Sequence, residues 1–136
     1  MRSKEFRINS FWMFPLPVIV IATAFLSFSL PQDELSSCIT KIKSEWSRPC
    51  IQCVEHSKSY RVYFRNTCDR ALDVKLAAQE NDKRWKTYTF RMVQPGDTLL
   101  AYACHGTGKY LYWVRNPEDI EYVFPTEEEI NEAFTD

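Results

Sequence analysis

Glycine and histidine are scarce in this chain: 136 residues hold three glycines and two histidines. So little glycine excludes collagen-like and glycine-rich linker classes. With only His56 and His105, both beside turn-like sequence, a base for nucleophilic catalysis is hard to supply. Neither G-x-S-x-G nor H-E-x-x-H occurs. The C-x-x-C pair Cys50–Cys53 has no second copy, which weakens a zinc site built from Cys50, Cys53 and His56. Val54 stands where a c-type haem would need histidine. Gly106-Thr107-Gly108-Lys109 lacks the spacing and following Ser/Thr of a phosphate loop and reads as a hairpin turn. No internal repeat is visible, and a net charge of −1 points to no nucleic-acid partner. No catalytic residue, metal ligand or cofactor is assigned, and the chain reads as a non-enzyme.

The near-zero net charge conceals an asymmetry. Residues 30–115 carry 14 basic and nine acidic side chains, whereas residues 116–136 carry eight acidic and no basic ones. The start is basic, with Arg2, Lys4 and Arg7, and an apolar run follows from Phe11 to Leu30. That order is the pattern of an export signal, with small-residue cleavage sites at Ala22-Thr23-Ala24 and Ser27-Phe28-Ser29. Twenty residues also suffice to span a bilayer, so residues 1–30 are read as a signal peptide or a membrane anchor. Basic residues before the run put the rest on the outer side in both cases: secreted, periplasmic or held at the outer membrane face.

Periodicity then divides the chain. Leu35, Cys38, Ile39, Ile42 and Trp46 make one stripe at helical spacing, which predicts an amphipathic helix over residues 33–47 within a unit 31–49. Residues 50–124 change to a period of two. Tyr60, Val62 and Phe64 alternate with Arg61, Tyr63 and Arg65. Leu72, Val74, Leu76 and Ala78 alternate with Asp73, Lys75 and Ala77. Tyr88, Phe90 and Met92 alternate with Thr87, Thr89 and Arg91. These are expected to be half-buried strands. Thr98–Cys104 and Tyr110–Asn116 read as strands buried on both sides, and 50–55 and 120–124 as short edge strands. Asn66–Asp69 and Pro95-Gly96 mark turns. Five to seven short strands predict a small antiparallel β-sandwich or barrel. In the last unit, 125–136, Thr126 and Glu129 form a capping box. It opens an acidic helix whose Ile130 and Phe134 should dock on the body, with its glutamates near Arg61, Arg65 or Arg91.

Export makes disulfides the default for the five cysteines. The candidates are Cys68, Cys104, Cys50 and Cys53, with Cys68–Cys104 the preferred bridge. Cys38 is expected to be the odd thiol, free or lipidated. A thioredoxin-like role for Cys50–Cys53 lacks a surrounding βαβ pattern. A binding surface suits the composition better. Arg61, Tyr63, Arg65 and Trp85 are the candidate binding face, basic and aromatic together. The expected function is an exported interaction module that binds a protein or a surface polymer. The alternatives are a membrane-anchored accessory subunit of an envelope complex, held through residues 8–30, and a C-x-x-C redox or metal-binding protein.

Overall fold

The computed structural model describes residues 32–135, so the signal or anchor segment read from the sequence lies outside the described residues. Helix α1 spans Gln32–Ser36, and six strands follow. They are β1 (Ile39–Trp46), β2 (Tyr60–Asn66), β3 (Leu72–Glu80), β4 (Trp85–Val93), β5 (Thr98–Ala103) and β6 (Gly106–Arg115). Helix α2 spans Glu127–Ala133. The chain is mainly β, in two three-stranded antiparallel sheets ordered β1-β2-β5 and β4-β3-β6. The alternations at 60–65, 72–78 and 87–92 all lie in strands, as the period of two requires.

One core lies between the sheets. Ile39, Tyr60, Val62, Phe64, Leu99, Ala101 and Ala103 come from the first sheet. Leu72, Val74, Leu76, Ala78, Val93 and Val114 come from the second. The second sheet also buries its other face, where Ala77, Trp85, Leu111 and Trp113 receive Ile130 of α2. This inverts the expected burial. Strand β3, read as half-buried, is the central strand of a sheet covered on both sides, and Asp73 and Lys75 are only 2% and 8% exposed. Strand β5, read as buried on both sides, lies at a sheet edge and alternates between buried and part-exposed residues. Position in the sheet, not strand composition, decides which faces are covered.

Two bulges explain further departures. In β4, Leu72 pairs with Val93 and Val74 with Phe90, so β4 carries one extra residue. Met92 takes a left-handed backbone (φ 51°) and points out, and Val93 occupies the core in its place. In β1, the register shifts between Lys41 and Lys43. The extra residue breaks the period of two, and the stripe that resembled a helix over 33–47 is a one-turn helix followed by an edge strand. Leu35, Cys38 and Ile39 are buried, while Ile42 and Trp46 are exposed.

Residues 50–55 and 120–124 form no strands. Gly96, at φ 84°, sits in the turn expected at Pro95-Gly96. The hairpin expected at Gly106–Lys109 is instead the start of β6. The chain passes from one sheet to the other through Cys104-His105, and a Cβ on Gly106 would lie 2.3 Å from Tyr60 Cβ. Glycine lets the two backbones cross there.

Candidate functional site

Each outer sheet face meets a different environment. Helix α2 covers that of the second sheet. On the first sheet, Tyr60, Val62 and Phe64 turn inward, so Arg61, Tyr63 and Arg65 turn outward from its central strand. Tyr63 pairs with Lys43 of β1 and Leu100 of β5, and Arg65 pairs with Thr40 and Thr98. Lys43 Nζ lies 4.8 Å from the Tyr63 ring centre and 2.9 Å from Glu45. The Tyr63 hydroxyl donates to Glu45 at 3.1 Å. The Lys43 hydrogen bond, with the Tyr63 hydroxyl adding to it, holds the Glu45 carboxyl below its ordinary range.

The three residues differ in availability. Arg61 donates to the Pro49 carbonyl and reaches the Tyr63 hydroxyl at 3.4 Å, so loop 47–59 occupies its guanidinium. Tyr63 is part-buried, and Arg65 is exposed. Trp85, the fourth expected member, is not on this face. It is 4% exposed under α2, donates its indole N–H to Phe134 O, and belongs to the opposite sheet. A tryptophan opening a strand gives no sign of which sheet will take it, and α2 decides its burial.

The cysteine pairing also differs from expectation. Disulfides join Cys38 to Cys68 and Cys53 to Cys104, with Cα separations of 5.0 and 5.4 Å. Cys68 is therefore not bridged to Cys104, and Cys38 is neither free nor open to lipidation. Both its sulfur and its carbonyl hold the turn after β2, where Thr67 N donates to Cys38 O at 2.8 Å. Cys50, expected in a bridge, is the free thiol and is buried. The C-x-x-C segment is a turn, with Cys53 N donating to Cys50 O at 3.0 Å and His56 Nδ1 accepting from Cys50 N at 3.2 Å. Pairing of Cys53 takes it away from any metal, and among the described residues no group of three His, Cys, Asp or Glu is placed to hold one.

The acidic tail does not meet the basic face. Glu127 accepts from Thr87 N and Oγ1, and Glu129 closes the capping box with Thr126. Arg91 pairs with Asp73. Beside α2, an apolar groove of about 410 Å³ is lined by Trp85, Tyr110, Leu111, Ala133 and Phe134. A polar one of about 750 Å³ runs from Asp82–Arg84 to the start of the helix. Sequence reading missed Lys43 and Leu100 beside Tyr63, since only cross-strand register brings them there. It also missed Ile51 and Val54, whose side chains stand fully exposed on the C-x-x-C loop. Comparison with protein-family models, with curated proteins and with solved structures yields no match to this chain.

Proposed function

We propose that this protein is an exported, non-enzymatic interaction module that binds an anionic protein or surface polymer through the outer face of its first sheet. The observation that supports it most is the unequal cover of the two sheets. One outer face is filled by Ile130 on Trp85 and Trp113, and the other presents Tyr63 and Arg65 on its central strand. A planar guanidinium next to an aromatic ring and Leu100 suits carboxylate or sulfate groups on an otherwise apolar ligand. The Arg65 guanidinium makes no hydrogen bond or ion pair among the described residues, whereas that of Arg61 is held by loop 47–59. We place the recognition at the Arg65 end for that reason.

Two disulfides agree with an oxidising compartment, where such bonds persist. A small β fold with two bridges is also a stable platform for an exposed face. The alternative of an anchored accessory subunit uses the same face and differs only in retention of residues 1–30.

Retention on a sulfated polysaccharide, and binding to an acidic peptide, measured against salt, test the reading. Arg65→Glu should weaken binding at least about tenfold and flatten its salt dependence, with melting unchanged. Arg84→Glu, at the β3–β4 turn, should leave binding intact. A folded Arg65→Glu protein that binds like the parent would sink the proposal.

A further inference from the structure

We infer that Cys50, Cys53 and Cys104 form a thiol–disulfide exchange centre, in which the bridge passes between Cys53–Cys104 and Cys50–Cys53. Two observations bring the three cysteines onto one turn, and burial of two of them adds to the case. Cys53 N donates to Cys50 O at 3.0 Å, which closes residues 50–53 into a turn. Such a turn keeps its end Cα atoms within about 7 Å, and a disulfide needs them about 4.4–6.8 Å apart. The Cys104 sulfur sits 3.9 Å from Gln52 O, on that same turn. Cys50 and Cys53 are 6% and 7% exposed, so the internal thiol reaches the bridge more readily than a dissolved one.

The step is self-balanced. Cys50 gives its proton to water, and the thiolate attacks Cys53 Sγ. The Cys50–Cys53 bond forms as the Cys53–Cys104 bond breaks, and Cys104 leaves as a thiolate that takes up a proton. One disulfide and one thiol stand on each side, and no oxidant or reductant is consumed. The outcome is mechanical. Cys53–Cys104 ties loop 47–59 to the end of β5 across 51 residues of chain, whereas Cys50–Cys53 closes only the turn. Exchange therefore releases the loop that carries the exposed Ile51 and Val54, and puts the free thiol on Cys104, which is part-exposed.

The test uses the full chain purified without reductant, incubated at about pH 8.5, near the ordinary thiol pKa. Samples are quenched in acid over time, blocked with N-ethylmaleimide in denaturant, digested and mapped by mass spectrometry without reduction. Label should start on Cys50 and move to Cys104, in step with a peptide spanning 44–58 that has lost two hydrogens. The two labels become equal if the pairings are isoenergetic. Cys104→Ser, held with oxidised glutathione as the oxidant, should leave no free thiol, because Cys50 then bridges Cys53 as the glutathione disulfide is reduced. Cys50→Ser should keep Cys53–Cys104 and take up no label at all. Label confined to Cys50 at every time, two free thiols in Cys104→Ser, or label on Cys104 in Cys50→Ser would each overturn the inference.

Discussion

Asp73 shows how one side chain organises a strand end. Its carboxylate, 2% exposed, accepts from Arg91 and Arg115 and from the backbone N–H of Met92 at 3.0 Å. That last bond holds the β4 bulge, and Arg115 carries the connection onward by donating to Tyr122 O. Removing one member of a buried pair leaves the other charge uncompensated. Asp73→Ala should therefore cost about 3–5 kcal/mol in chemical denaturation. Arg91→Ala should cost well under half of that, since its side chain is largely exposed. Three phenols respond to pH. Burial pushes Tyr88, Tyr60 and Tyr122 above the ordinary tyrosine value, with the neighbouring Tyr102 adding to the effect at Tyr88. The unfolded chain ionises at about pH 10 while these stay protonated in the folded state. Their contribution to stability is thus fully present below about pH 10 and is lost as pH rises beyond it. Absorbance titration should show Tyr60, Tyr88 and Tyr122 ionising late, together with the loss of structure. Ionisation of these three at the ordinary tyrosine value before unfolding would contradict the burial assigned to them.

At the scale of the element, α2 separates local from tertiary stabilisation. Thr126 and Glu129 satisfy the first turn, while Ile130, 1% exposed, fills the hollow over Ala77, Trp85 and Trp113. Thr126→Ala should cost about 1 kcal/mol, and Ile130→Ala about 2–5 kcal/mol with a red shift in tryptophan emission. Equal costs would mean that the helix is held by its cap rather than by docking. Deleting residues 126–136 should destabilise the second sheet and leave binding at Arg65 unchanged, because the helix and that face lie on different sheets. The helix was legible in the sequence, from its capping box to the inward Ile130. Its destination was not, since Trp85 and Trp113 become neighbours only through the β4-β3-β6 order.

At the scale of the molecule, the two bridges close loops of 30 and 51 residues at opposite ends of the first sheet. In the chain-entropy account each contributes roughly 3.5–4 kcal/mol, with the longer loop slightly ahead. Reductant should lower the melting temperature in two steps as the bridges open. A melting temperature indifferent to reductant would rule out any stabilising role. What the sequence determined by itself is local: five strand segments, the Pro95-Gly96 turn and the capped helix, because side-chain period and turn chemistry are set by neighbours within a few residues. What the tertiary structure decided is everything that depends on which strands share a sheet. That includes the double burial of β3, the outward turn of Met92, the recruitment of Trp85 into the core, and the pairing of Cys38 with Cys68. The order β1-β2-β5 beside β4-β3-β6 brings these residues together from across the chain, and a side-chain period records only which way a residue points, not what it will meet.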